Sequence, residues 1–309
     1  MATTTRAPAT ETVLAAADGY GSPGRSEWLD IDWRPHLHSC QIDGARVNYI
    51  ELGEGPPLVF VHGLAGCWQN WLENIPHFAR SRRVIAVDLA GFGESELPSD
   101  DISIPGYGRF MDAFLGEIGV ERAPLIGNSM GGFISAEVAI SHPSRVEKLV
   151  LVNAAGGPTL REWHNRREAV LKRAIRLGQP LGARMFARRE FLVRRPRARK
   201  AFLFTVAAHP ELLRPELCYE VASGTGKPGF LDAALAIADY DYWERIPDIS
   251  CPTLVVWGQK DRVVPVKDAH EYAGLIPGSR LTIFDDTGHV PMLERPAQFN
   301  ALLDEFLAS

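Results

Sequence analysis

An α/β fold, a mostly parallel, doubly wound sheet with a helical insertion, is predicted by three features of the chain. Apolar runs at 58–61, 84–87, 123–126 and 149–152, and mostly apolar strand-like stretches at 253–257 and 281–284, alternate with stretches of helical periodicity. Strands covered by helices on both faces read as such runs, whereas one-sided strands alternate. The alternation stops between about 157 and 243, where helical stretches follow one another, and then resumes. Finally, several runs lead straight into loops rich in Gly, His, Asp or Ser, at the strand ends where open α/β sheets build their sites.

Composition narrows the class. At 309 residues, 46% hydrophobic and 23% charged, the chain has the make-up of a globular protein with a large core. A net charge of −5 gives no overall attraction to nucleic acid or anionic membrane. No apolar run approaches the ~20 residues of a membrane span. The apolar patch at 13–17 is too short, and too acidic at its flanks, for a signal peptide. Cys40, Cys67, Cys218 and Cys251 form no C-x-x-C pair, which reads as free thiols rather than disulfides or zinc ligands. The expectation is a cytoplasmic protein.

In chain order, residues 1–27 are rich in Ala, Thr, Gly and Pro without periodicity and read as a flexible arm. Alternating stretches at 37–42 and 47–52 meet at Asp43-Gly44, an antiparallel hairpin signal. The run at 58–61 ends in His62-Gly63-Leu64-Ala65-Gly66 and a helical stretch near 68–78. The run at 84–87 is closed by Asp88-x-x-Gly91-x-Gly93-x-Ser95, and a helix follows near 107–118. The strand at 123–126 leads through Gly127-x-Ser129-x-Gly131 into a helix from Met130 to about His142. After the insertion come the strand at 253–257, a helix near 266–275, the strand at 281–284 and a helix at 296–307. The expected division is an arm at 1–27, a core at 28–156 and 244–309, and a helical insertion at 157–243.

The stretch around Ser129 carries the chemistry. A turn from strand directly into helix crowds its central residue, and glycines two positions to either side relieve that crowding. The serine hydroxyl is then presented away from the sheet, in front of a helix N-terminus. Serine needs a base, and the base needs an orienting acid. Asp261 follows the 253–257 strand and His289 follows the 281–284 strand, so the order Ser129, Asp261, His289 suits this kind of sheet. Asp285 and Asp286 compete for the acid role. Asn153 occupies another strand exit where an acid is sometimes found, and it cannot serve as a carboxylate. Backbone N–H groups of Leu64 and Met130 are the expected oxyanion donors. His62 and Asp88 read as formers of their turns.

Through His62-Gly63, Asp88-x-x-Gly91-x-Gly93-x-Ser95, the Ser129 elbow, Asp261 and Gly288-His289, the chain resembles the α/β-hydrolase superfamily over about residues 35–309 except the insertion. The resemblance implies that residues 157–243 form a cap over the active site. Serine at the elbow sets it apart from members with aspartate there, the epoxide hydrolases and dehalogenases. Gly127-Asn128-Ser129-Met130-Gly131-Gly132 is similar to carboxylesterases, including monoalkyl phthalate hydrolases, and to meta-cleavage product hydrolases, which split a C–C bond in ring-fission products. The second group usually has an aromatic after the histidine and a longer Gly-rich loop; this chain has Val290 and His62-Gly63-Leu64-Ala65-Gly66. The expectation is therefore cleavage of a carboxylic ester through an acyl-enzyme, with no cofactor or metal. C–C hydrolysis, perhydrolysis and ligand binding without turnover are the alternatives. The expected partner is a small ester, without nucleic acid or an integral membrane segment; oligomeric state is unreadable.

The insertion carries a basic run: Arg166, Arg167, Lys172, Arg173, Arg176, Arg184, Arg188, Arg189, Arg194, Arg195, Arg197 and Arg199. It reads either as solvated helix faces or as attraction for an anionic substrate or lipid surface. One inward arginine would suffice to grip a substrate carboxylate.

Overall fold

The computed structural model describes residues 10–15, 19–22, 24–159 and 188–309. Its strands are β1 (Thr10–Leu14), β2 (Leu37–Ile42), β3 (Ala45–Leu52), β4 (Pro57–Val61), β5 (Arg83–Val87), β6 (Ala123–Asn128), β7 (Val146–Val152), β8 (Thr253–Gly258) and β9 (Arg280–Phe284). They form one sheet in the order β1-β9-β8-β7-β6-β4-β5-β3-β2. The β2–β3 and β3–β5 pairs are antiparallel and the other pairs are parallel. At the β2–β3 turn Asp43 and Gly44 both take positive φ, 50° and 81°, which matches the right-handed twist of a tight hairpin.

Strand β4 shows why the runs are unbroken. Val59 and Val61 enter one apolar cluster with Met111, Phe114 and Phe133. Leu58 and Phe60 enter another with Trp71, Phe78, Phe299 and Phe306. Successive side chains point to opposite faces, so both parities must be apolar when each face is covered. All four side chains, Leu58 through Val61, are fully buried. Truncating Phe60 to Ala would cost about 3–5 kcal/mol in transfer and cavity terms. Helices Ile104–Glu117 and Met130–Ser141 cover the first face, and helix Pro296–Ala308 lies on the second. The first of these begins three residues ahead of the expected start, because Ser103 caps it by accepting the Gly106 N–H at 3.0 Å.

The N-terminal stretch departs from its expected looseness. Thr10–Leu14 pairs in parallel with Arg280–Phe284 at the sheet edge. The stretch Thr-Glu-Thr-Val-Leu is short but β-prone, and it satisfies the edge of β9, which would otherwise present unpaired N–H and C=O groups. Farther on, the Tyr20 hydroxyl donates to Glu294 at 2.5 Å and the Ser26 hydroxyl to Glu73 at 2.8 Å. Residues 1–9, 16–18 and 23 of the expected arm lie outside the described residues.

Between β7 and β8, the described residues form helices Arg189–Arg194, Pro196–Leu203, Pro215–Val221 and Phe230–Asp239, with no strand among them. Residues 160–187, including the first part of the basic run, lie outside the description. Glycines set how closely this stretch approaches the core. A Cβ on Gly224 would lie 2.4 Å from the Gly66 carbonyl, and one on Gly229 would lie 3.0 Å from Gly91 Cα.

Candidate active site

Strand β6 runs into helix Met130–Ser141 with Ser129 between them at φ 55° and ψ −118°, a conformation L-residues rarely adopt. The crowding expected of this elbow is there. A Cβ on Gly127 would sit 2.2 Å from the Gly131 carbonyl oxygen, and one on Gly131 would sit 2.2 Å from the Val61 carbonyl oxygen. Strain at Ser129 is held by its neighbours: its N–H donates to Val152 O at 2.9 Å, and its carbonyl accepts the Phe133 and Ala155 N–H groups.

Asp261 and His289 are brought together because the loops after β8 and β9 touch. A Cβ on Gly258 would overlap the Gly288 carbonyl oxygen at 1.9 Å, so only glycine permits this approach. The Lys260 N–H then bonds Thr287 O at 2.8 Å. His289 Nδ1 lies 2.7 Å from Asp261 Oδ2, and the Asp261 carboxylate is out of contact with solvent. Its other oxygen, Oδ1, accepts the Val263 and Val264 N–H groups at 2.7 and 3.0 Å. With Nδ1 donating to the carboxylate, the neutral imidazole keeps Nε2 as its free acceptor.

Neither competing acid reaches the imidazole. Asp285 accepts the N–H of Asp286, and Asp286 pairs with Lys260, with His209 at 2.9 Å and with Arg295 at 3.5 Å. The Lys260 and His209 bonds hold the Asp286 carboxyl below its usual range.

Ser129, His289 and Leu64 line a single cavity of about 510 Å³. The segment between β7 and β8 contributes Val206, Phe230, Ala234, Ile237 and Ala238 to its wall. Polar groups at its edge are few: Thr159, Arg262 and the buried Asp268. Leu64 belongs to the 62–66 loop, which lies against the elbow; a Cβ on Gly63 would come 3.0 Å from Ser129 Cβ. Met130 is the first residue of the helix behind Ser129, and N–H groups in a first helical turn have no partner within the helix.

His62 and Asp88 are turn formers. His62 is fully buried, its Nε2 accepts the Leu89 N–H at 3.0 Å, and its Nδ1 donates to Gly63 O at 2.7 Å. Burial pushes its pKa down to about 4, so the ring is neutral. Asp88 accepts from Trp68 N, Asn48 Nδ2 and Glu94 N, and burial pushes its carboxyl up to about 6. The inward arginine of the described basic run is Arg199. It faces protein and not the cavity, donating to Pro210 O, Val193 O and Glu211 O at 2.9, 2.5 and 2.6 Å.

Three polar residues bond around the site, of which the sequence reading named only Asn153, and only as unable to be the acid. Asn128 Nδ2 bonds Val152 O and His289 O, each at 3.1 Å, which ties the elbow to the histidine loop. Asn153 Nδ2 bonds Asp261 Oδ2 at 2.6 Å. Arg262 Nη1 bonds Phe204 O at 2.7 Å and holds the helical segment to the loop after β8. Adjacency of Asn128 to Ser129, and of Arg262 to Asp261, was the available signal.

A family model described as alpha/beta hydrolase fold matches residues 56–296. The chain is 31% identical over 283 residues to the 2-hydroxymuconate semialdehyde hydrolase of Pseudomonas sp. (strain CF600), covering 86% of this chain and 91% of that protein. It is 32% identical over 276 residues to the 2-hydroxy-6-oxononadienedioate/2-hydroxy-6-oxononatrienedioate hydrolase of Paraburkholderia phymatum, covering 85% and 91%. Among solved structures, Est816, an N-acyl homoserine lactone degrading enzyme, superposes with a TM-score of 0.66 at 27% identity, over 87% of this chain and 100% of that one.

Proposed function

The chain belongs to the α/β-hydrolase fold family, and from that premise we propose that it is a serine hydrolase that splits a C–C bond beside a ketone in a conjugated, ring-fission-type acid. The observation that carries the serine mechanism is the buried 2.7 Å Asp261–His289 contact in one cavity with a strained Ser129. The bond type is supported by the relatives named as hydrolases of 2-hydroxymuconate semialdehyde and of 2-hydroxy-6-oxononadienedioate and -trienedioate, each matched over 91% of its length.

His289 takes the Ser129 proton as Oγ adds to the ketone carbon, and Asp261 stabilises the imidazolium. The Leu64 and Met130 N–H groups receive the oxyanion. The 2-hydroxy-dienoate reacts as its 2-oxo tautomer, in which the hydroxyl proton has moved to the carbon next to the ketone. Collapse then breaks the bond between that carbon and the ketone carbon, and its electron pair leaves as a carbanion delocalised through the remaining double bond into the 2-oxo acid. The imidazolium returns its proton to that carbanion. Water, deprotonated by His289, then cleaves the acyl-enzyme and restores the Ser129 hydroxyl. The apolar wall suits the uncharged middle of such a substrate. Arg262 is a cation at the cavity lining that can meet its carboxylate.

Ester or lactone cleavage is the second reading. It is favoured by the likeness to the lactone-degrading enzyme and by Val290, which stands where meta-cleavage product hydrolases usually have an aromatic. Both pass through a tetrahedral adduct on Ser129 and differ in the bond that the adduct breaks and in the leaving group that takes the proton. The test is kcat/KM for a 2-hydroxy-6-oxo-dienoate beside p-nitrophenyl acetate, with Ser129→Ala as the control. A preference for the dienoate of about 100-fold or more is expected; a preference for the ester would move the assignment to ester hydrolysis. Loss of both activities in Ser129→Ala by about 10⁴-fold supports the nucleophile, and retention of either excludes it.

A further inference from the structure

We propose that Asn153 is a positioning residue that fixes the carboxylate of Asp261, an inference that rests on the triad reading above. Asn153 follows β7 directly, is fully buried and holds φ at 47°, in the left-handed region that asparagine tolerates better than most residues. Its backbone N–H donates to Val256 O at 2.9 Å, which anchors it to β8. Its side-chain Nδ2 lies 2.6 Å from Asp261 Oδ2, the same oxygen that meets His289 Nδ1 at 2.7 Å, and 3.4 Å from Gly288 O.

The other end of the amide supports this role. Asn153 Oδ1 is buried with no hydrogen-bond partner among the described residues. A buried acceptor left unmatched is costly. Turning the amide over would aim that oxygen at a carboxylate and exchange a charge-assisted bond for repulsion. The contact with Asp261 therefore outweighs satisfaction of Oδ1. Asp261 in turn has four N–H donors: Val263 and Val264 on Oδ1, and Asn153 and His289 on Oδ2. The two backbone donors leave the carboxylate free to pivot about Oδ1. The amide stops that pivot and keeps Oδ2 where an imidazolium forms during the reaction. Misplacement of such a partner costs rate and not ground-state binding.

Two variants test this, Asn153→Ala and Asn153→Asp. The readouts are kcat and KM for p-nitrophenyl acetate and the rate at which a fluorophosphonate labels Ser129, from about pH 5 to pH 9. Asn153→Ala should lower kcat and labelling about 10-fold, with KM within about two-fold. Asn153→Asp is nearly isosteric. At the acid end the two carboxyls hold one proton between them, and the new O–H donates as the amide did, so the variant should run close to wild type. As pH rises the second proton leaves, two like charges face each other, and the rate relative to wild type should fall. A residue serving the fold alone would lower the melting temperature and leave that ratio flat with pH. Wild-type kcat and labelling in Asn153→Ala, or a flat ratio in Asn153→Asp, overturns the inference. Failure of wild type to label at Ser129 overturns the triad reading instead, so the two failures are distinguishable.

Discussion

The carboxylate of Glu294 accepts the N–H of Gly288 at 2.9 Å, so a fully buried side chain holds the residue immediately before His289. The same carboxylate accepts the Val290 N–H at 3.1 Å, the Ala208 N–H at 2.8 Å and the Tyr20 hydroxyl at 2.5 Å. It thereby ties both flanks of His289 to the helical segment and to the N-terminal stretch. Glu294→Gln puts an NH₂ where an acceptor is needed. That change should lower kcat about 10-fold and unfolding free energy by about 2–4 kcal/mol. Steady-state kinetics with urea denaturation reads both, and a variant with wild-type kcat would separate this clamp from His289.

Asp261 and Asp286 are told apart by partners, and the kinetics should follow. Asp261→Asn would face His289 Nδ1 with an amide, mis-set the tautomer and lower kcat by up to about 10⁴-fold while the protein stays folded. Asp286→Asn disturbs a partly exposed cluster with Lys260 and His209 and should change kcat less than about three-fold. The larger loss in Asp286→Asn would assign the acid wrongly.

Gly93 admits no side chain. A Cβ there would lie 2.0 Å from Asp88 Cγ, on a backbone at φ 53°. Asp88 is buried and cannot move without releasing the Trp68, Asn48 and Glu94 donors. Gly93→Ala should therefore destabilise the protein by about 3 kcal/mol or more. A chemical denaturation midpoint equal to wild type would contradict this geometry.

The buried His62 makes stability pH-dependent with a definite sign. Its pKa is depressed from an ordinary 6.5 to about 4. The stability it contributes is present above pH 6.5 and is lost as pH falls toward 4, on the order of 3 kcal/mol. Asp88 acts oppositely: its carboxyl is raised from an ordinary 3.8 to about 6, so its contribution is present below the lower value and fades as pH rises through the upper one. The two offset each other between about pH 4 and pH 6. His62→Gln removes one side, so unfolding free energy in that variant should rise as pH drops through this range. Parallel profiles for variant and wild type would place the histidine pKa elsewhere.

Strands β4 to β9 were legible because each is covered on both faces along its centre, which therefore reads as a mostly apolar run. The elbow was legible because its glycines answer a local steric demand, and the Asp261–His289 pair because each residue lies in the loop that leaves its strand's carboxyl end. What was not legible depends on contacts between distant segments. The strand exit at Asn153 was legible but its bond to Asp261 shows only when the β8 loop is laid beside it, and Glu294 stands out only when Gly288, Ala208 and Tyr20 converge on it. Thr10–Leu14 lacks the length and hydrophobicity of a core strand, and its pairing depends on the bare edge of β9. The choice between C–C and ester cleavage is likewise absent from the triad, which is common to both chemistries.

The pairing of β1 with β9 also bears on the order of events as the chain is made. Tyr20 and Glu294 are separated by 274 positions, and Leu14 meets Phe284 over a similar span. At about 5–20 residues per second, β1 waits on the order of 15–50 s for β9 to be made. The centre of the sheet, β4 through β7, can assemble well before that. The histidine loop, pinned by Leu14 O at Asp285 and by Tyr20 through Glu294, therefore sets after that centre. A nascent chain would hold its Ser129 elbow formed while the loop that carries His289 still awaits the meeting of β1 and β9.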